Sequence, residues 1–278
     1  MKNVITSALV LGTLLVSGCS TKLQTKKEMG HLNLQVKAYE QEKATGLLIA
    51  IVAPEFQTNG KEDAKPAPAN PYEALMRARG GNANYSFNTA FINSYQTQLK
   101  RAMKDNFSEL MTKKGFKLKG PFETFDDLTY TDKKDVYLAV VPKLNISIEK
   151  KVHTRDVERL YLHEDGEIQV TGDLVIKVIE PLTQQTFVSK RINLSDLNIV
   201  EDYIYEKQTQ VGGDGLVGMA MDKASAPDSL TDNTDVALSN AINKFYAEAN
   251  NKIKRYLSRE ELLSFEKDVS ALKTLKRF

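Results

Sequence analysis

Two long stretches in which apolar and polar residues alternate constrain this chain more than any other feature. Leu138, Val140, Leu144, Ile146 and Ile148 keep one phase between Val136 and Lys150, and Ile168, Val170, Leu174, Ile176 and Val178 keep one phase after Glu167. A period of two is the pattern of strands with one buried face. Asp165-Gly166 stands between Arg159–His163 and Glu167–Ile179, a dipeptide that suits a two-residue hairpin turn with positive φ. Pro142 has no ladder donor and marks an edge or a bulge. Pro181 to Thr186 then turns the chain into Phe187–Leu194. Neighbouring strands joined by such short turns are antiparallel, so this half of the chain predicts a β-meander.

Helical periods flank the meander. Phe91, Tyr95, Leu99, Met103, Phe107 and Leu110 recur at three- and four-residue spacings within Asn88–Lys114, with Gly115 where a left-handed cap is wanted. Asp232 or Thr234 can cap a helix carrying Leu238, Ile242, Phe245, Ala249 and Ile253. Ser258 and Glu261 match a capping box. Leu262, Phe265, Val269 and Leu272 follow, a seam too short for a free coiled coil and suited to docking on the body. Earlier in the chain, Leu32, Leu34 and Val36 alternate as a half-buried strand would, and Leu47–Ala53 predicts a buried central strand ended by Pro54. Residues 57–85 carry Pro66, Pro68, Pro71, Gly60, Gly80 and Gly81 with little periodicity, a composition that predicts a solvated insertion. Phe116–Lys119 predicts a short strand. The expected fold is one α+β domain over residues 31–278: a mainly antiparallel sheet covered by the long central helix and the C-terminal helices.

The start of the chain carries a different kind of information. Met1-Lys2-Asn3 is a short positive opening, Val4–Val16 is apolar, and small residues precede Cys19 in Val16-Ser17-Gly18-Cys19. This order describes a secretory signal peptide, and the cysteine after the small residues resembles a bacterial lipobox. The resemblance implies a signal at residues 1–18, cleavage before Cys19, lipidation of that residue and a tether over residues 19–30. Cys19 is the only cysteine in the chain, so no internal disulfide supports the fold. Several acyl chains give stable membrane attachment where a single one is marginal, and Ser20 favours the outer membrane under the best-known sorting rule. Removing residues 1–18, whose one charge is Lys2, takes the formal net charge from +2 to +1. A balance so near neutral gives no reason to expect a nucleic-acid partner.

Motifs for catalysis or metal binding do not assemble. His31, His153 and His163 lack the spacings of a zinc site, and in Gly212–Gly218 the positions after the last glycine are Met219 and Ala220 where a P-loop needs Lys and Ser or Thr. Asp222, Asp228, Asp232 and Asp235 lack the order of a calcium loop and suit turns and helix caps. Asp126-Asp127 reads as a turn. The expectation is a non-enzyme without a cofactor.

Val136-Tyr137-Leu138-Ala139-Val140, Val178-Ile179-Glu180-Pro181, Leu194-Ser195-Asp196-Leu197-Asn198-Ile199, Gly215-Leu216-Val217, Asp232-Asn233-Thr234 and Ala241-Ile242-Asn243-Lys244-Phe245 occur in this order. In these words the chain resembles the neuraminyllactose-binding haemagglutinin lipoprotein family of Helicobacter and its relatives, with residues 57–85 inserted. The resemblance implies a sialylated-glycan adhesin on the outer membrane or flagellar sheath. Where the family has a compact basic run, this chain reads Glu149-Lys150-Lys151-Val152-His153-Thr154-Arg155-Asp156. Lys150, Lys151 and Arg155 are therefore the candidate glycan-binding residues, since a cation can donate charge-assisted hydrogen bonds to a sialic-acid carboxylate. Successive strand residues point to opposite faces, so convergence of the three requires a turn or bulge between Lys151 and Arg155. The alternative is a structural envelope or flagellar-sheath lipoprotein that binds protein partners, or itself, and no sugar. Cys19→Ala is expected to leave an unprocessed or soluble protein on membrane fractionation; a variant processed and retained like its parent would remove the anchor.

Overall fold

The computed structural model describes residues 24–36, 38–57, 86–158, 161–208 and 229–275. Cys19, the Gly212–Gly218 loop, Asp222, Asp228 and all but the first residue of the 57–85 segment lie outside the described residues. Nine strands form one sheet: β1 (Gln24–Lys27), β2 (Leu48–Val52), β3 (Glu55–Gln57), β4 (Lys117–Phe122), β5 (Leu138–Val157), β6 (Tyr161–Glu180), β7 (Gln185–Asn193), β8 (Val200–Gln208) and β9 (Ser229–Asp232). Their order across the sheet is β1-β9-β8-β6-β5-β2-β4, with β3 on β5 and β7 on β6. Residues 24–27, inside the stretch expected to be tether, thus belong to the sheet.

The meander is present, with β5, β6 and β7 successively antiparallel. The sheet is mainly antiparallel, as expected, with parallel pairs added to it: β2 runs parallel to both β4 and β5, β3 parallel to β5, and β1 parallel to β9. The central helix between β2 and β4 supplies the crossover for that pair, since parallel neighbours need a long connection and a helix is the usual one. Pro142 falls in the gap between the β2 pairing, which ends at Val140, and the β3 pairing, which begins at Lys143.

The hairpin turn is not at Asp165-Gly166. Both residues lie inside β6; β5 ends at Val157 and β6 begins at Tyr161, and the Glu158 amide donates to the Tyr161 carbonyl at 2.9 Å. Gly166 faces a β-bulge in β5, where the register shifts between Val152 and Thr154. A Cβ on Gly166 would come within 2.3 Å of the Lys151 carbonyl oxygen. The glycine is required there for close backbone approach, which locally looks the same as a turn glycine.

The central helix forms as α1 (Phe87–Ala90), a π-helical turn (Phe91–Tyr95) and α2 (Gln96–Lys113). All six residues of its predicted stripe are buried. It ends in a Schellman motif: the Phe116 amide donates to the Met111 carbonyl and the Gly115 amide to Thr112, with Gly115 at φ +85°. A short helix, α3 (Tyr130–Asp135), precedes β5, and α4 (Thr234–Tyr256), α5 (Arg259–Ser264) and α6 (Glu266–Leu275) close the chain. The main core lies between one sheet face and helices α2 and α4. A second, small cluster of Ala50, Val52, Leu128, Val136 and Ala139 sits apart from it.

The C-terminal helices dock, as their short seam predicts. Leu262 and Val269 are buried, Phe265 packs 5.0 Å from the Phe187 ring, and the Tyr137 hydroxyl donates to the Leu262 carbonyl at 2.7 Å. Burial pushes the Tyr137 hydroxyl up to about 12. Lys273 donates to the Lys134 carbonyl at 2.7 Å and to that of Val136, 3.9 Å from the buried Glu180 carboxylate.

Residues 32–36 are not a strand. Leu32, Leu34 and Val36 do alternate in burial, but the segment has no ladder and packs as an extended strap on the helical side. The Asn33 amide donates to Asn243 Oδ1 at 2.7 Å, and Asn243 Nδ2 returns a bond to the His31 carbonyl at 3.0 Å. Alternation here comes from an extended chain laid over α4 with every second side chain turned toward the body.

Gly166→Ala should lower stability by about 1–3 kcal/mol, the usual cost of forcing a group into filled space. Urea unfolding followed by circular dichroism checks this; an unshifted midpoint would mean that the bulge has room for a side chain.

Candidate functional site

The outer halves of β5, β6 and β8 carry the residues that the sequence nominates. β3 pairs with β5 only as far as Asn145. Beyond it the Asn88 side chain takes the place of a strand, donating from Nδ2 to the Ile148 carbonyl at 3.0 Å and accepting the Ile148 amide on Oδ1 at 2.8 Å. From Glu149 onward β5 is mostly exposed, with Lys150 and Arg155 half-buried on the helical side of the sheet.

The bulge at His153 decides which candidates meet. Without it Lys150 and Arg155, an odd number of positions apart, would face opposite ways. The extra residue brings both onto the buried phase of β6, and both reach Glu164. Lys150 Nζ lies 3.0 Å from Glu164 Oε1, and Arg155 Nε lies 3.6 Å from Oε2. The Tyr203 hydroxyl donates to the same Oε1 at 3.0 Å, with Phe87 edge-on to its ring at 5.1 Å. The Glu164 side chain is 9% exposed and those of Lys150 and Arg155 are 18% and 20%. Burial, and then the neighbouring Glu164 charge, hold the Tyr203 hydroxyl far above its ordinary range, so it stays a donor.

Lys151 goes to the other face. Its ammonium lies 2.8 Å from Glu167 Oε1, and His153 Nε2 lies 3.6 Å from Glu167 Oε2. The hydrogen bond from Lys151 holds the Glu167 carboxyl below its usual range. His163, on the same face, lies 3.0 Å from Asp165 and 3.8 Å from Glu206. The structure thus brings Lys150 and Arg155 together and separates Lys151 from them. Glu164 and Tyr203 escaped the sequence reading. The signal for Glu164 was its place in the buried phase, in step with Leu162 and Ile168.

An open groove of about 550 Å³ runs between the strap residues Leu32, Leu34 and Val36 and the Arg101, Ala102, Asp105 side of α2, with Tyr246 beside them. Among the described residues, no group of three or more His, Cys, Asp or Glu could hold a metal ion. Asp232 accepts the Thr234 amide at 3.0 Å, and Asp235 accepts the Tyr95 hydroxyl at 2.7 Å and the Gly30 amide at 2.9 Å. Both act as local braces. None of the described helices is long and apolar enough to cross a membrane.

The sequence model of the family described as neuraminyllactose-binding hemagglutinin precursor matches residues 85–276. The chain belongs to this family. The matched span begins where the 57–85 segment ends and includes β4 to β9 and every described helix. Among its relatives is the neuraminyllactose-binding hemagglutinin of Helicobacter pylori strain 26695, 27% identical over 199 residues, 68% of this chain and 73% of the relative. The counterpart from strain J99 is 26% identical over the same length. A crystal structure of a neuraminyllactose-binding hemagglutinin homolog from Helicobacter pylori shares the fold, with TM-score 0.52, 16% identity, and coverage of 85% of this chain and 99% of that one. These relatives are named for binding rather than for catalysis.

In this family member the Glu164 cluster is a buried carboxylate held between two half-buried cations. Removing one partner from such a group leaves an uncompensated charge, which costs about 3–5 kcal/mol. Glu164→Gln should therefore destabilise the body by roughly that amount, while Glu167→Gln at the exposed pair should leave the urea midpoint where it is. Equal midpoints for the two variants would show that the Glu164 cluster is solvated.

Proposed function

We propose that the protein is a lipid-anchored outer-membrane adhesin that recognises sialylated glycans weakly per copy and gains avidity from many anchored copies. The names of its relatives support the ligand class, and Val16-Ser17-Gly18-Cys19 supports the anchor. The pairing of each candidate cation with a carboxylate carries the weak-monomer reading: Lys150 and Arg155 with Glu164, Lys151 with Glu167. A sialic-acid carboxylate arriving at this segment competes with an internal carboxylate that is already in place. At the exposed Lys151 a new ion pair would contribute only about 0–1 kcal/mol.

Titration calorimetry of the lipid-free body with sialyllactose is expected to give no saturable micromolar heat, whereas vesicles densely coated with the anchored protein should agglutinate erythrocytes until those cells are treated with neuraminidase. Saturable micromolar binding by the monomer, abolished by Arg155→Ala with the fold intact, would return a full site to β5. Coated vesicles that fail to agglutinate would favour a structural envelope role without sugar.

A further inference from the structure

We propose that the body stands on the membrane by the end of the sheet where β1, β9, β8 and the β5–β6 turn come level, with α5, α6 and the 181–184 turn held away from the lipid. The inference rests on the lipid-anchor reading of Cys19. The level follows from the ladders: Gln24 pairs with Ser229, Ser229 with Gln208, and Gln208 with Tyr161. Tyr161 in turn closes the β5–β6 turn through the Glu158 amide. The anchored chain therefore enters the body beside this turn.

Lengths make the two ends unequal. Five residue steps separate Cys19 from Gln24, a span of at most about 18 Å even fully extended. β6 runs 20 residues from Tyr161 to Glu180, roughly 60 Å of strand. The tether cannot lengthen by peeling β1 away without breaking a run of contacts. The Glu28 amide donates to the Asp232 carbonyl at 3.0 Å, the Gly30 amide to Asp235, and Asn243 clamps His31 and Asn33. β1 lies in the sheet parallel to β9 and begins at Gln24, so the tether joins the body at the end of a strand rather than on a face of the sheet.

The partner is the headgroup surface of the membrane that holds the acyl chains. Among the described residues, the proximal end carries Lys26, Lys27 and Lys207 together with Asp156, Glu158 and Glu206. Such mixed charge gives no net pull toward acidic lipid, so the stance is set by the tether and is insensitive to salt. A single row of pairs joins Lys27, Asp232, Tyr205, Glu164 and Arg155. It puts Arg155 three residues above the Gln24 level, roughly 10 Å. Arg155 thus lies in the part of the sheet nearer the membrane, and Lys150 and Lys151, opposite Ile168 and Glu167, lie further along β5 from it. The far end instead offers α5, α6 and α3, with Tyr130 58% exposed and Lys134 Nζ 4.5 Å from its ring.

The lipidated full chain, reconstituted in phosphatidylethanolamine–phosphatidylglycerol vesicles, tests this by energy transfer to an acceptor dye on lipid headgroups. Acylation consumes Cys19, so a single introduced cysteine takes the donor. Glu158→Cys should lose most of its donor emission and Gln185→Cys should keep most of its own, with no change as salt is raised. Gln208→Cys and Thr186→Cys supply a second pair at the same levels should either first variant fail to fold. Equal transfer from both ends, a reversed order, or loss of the difference in high salt would overturn the stance. Retention of a processed Cys19→Ala chain in membranes would overturn the anchor reading and the stance with it; an intact anchor with equal transfer overturns the stance alone.

Discussion

The β5–β6 ladder is the interaction on which the rest of the molecule depends. It is the longest pairing in the sheet, running from Ala139 opposite Ile179 to Val157 opposite Leu162. Every other strand except β1, β4 and β9 pairs directly with one of these two. Its inner face supplies Val140, Leu144, Ile146, Ile148, Ile168, Val170, Leu174 and Ile176 to the main core. A slip of one residue would turn that whole set to solvent, so the register is held by the burial of the core itself. The bulge opposite Gly166 is the one place where the register changes, and it changes which charged residues look inward.

That change governs the chemistry of the outer blade. A basic segment on an ideal strand would spread its cations over both faces. Here one extra residue gathers Lys150 and Arg155 around Glu164, and Tyr203 completes the coordination of the carboxylate. Buried charges persist only when paired and hydrogen-bonded, and the Glu164 carboxylate finds both within the chain, bonded by Lys150 and Tyr203 and paired with Arg155. The cations that looked available for a ligand are first of all the counter-charges of a carboxylate the fold has buried.

Much of this architecture was legible in the residues. The helical stripe from Phe91 to Leu110, the glycine stop at Gly115 and the two alternating stretches all declare themselves through periodicity. The misreadings share a physical cause, in that one local pattern has two tertiary origins. Asp165-Gly166 looked like a turn because a glycine needed for close backbone approach and a glycine needed for positive φ are the same residue. Leu32, Leu34 and Val36 looked like a strand because an extended strap over a helix alternates just as a ladder does. Strand direction was invisible because periodicity carries no polarity, and the parallel edges emerged only with the helical crossover. At the candidate site, the need for a bulge followed from strand geometry alone. That the bulge would deliver two cations to Glu164 depended on a partner on the neighbouring strand, 14 residues from Lys150.

The strap has a consequence for the order in which the molecule can be assembled. Its fixing bonds join residues more than 200 positions apart: 205 between Gly30 and Asp235, 210 between Asn33 and Asn243. Closing loops of that size is slow relative to local structure. A chain that emerges N-terminus first has no α4 to receive the strap until nearly all of it has been made. The meander and central helix can form early, but the first residues of the body are the last to find their seat. Whatever enzymes act near the start of the chain therefore meet it while it is still unclaimed by its own fold.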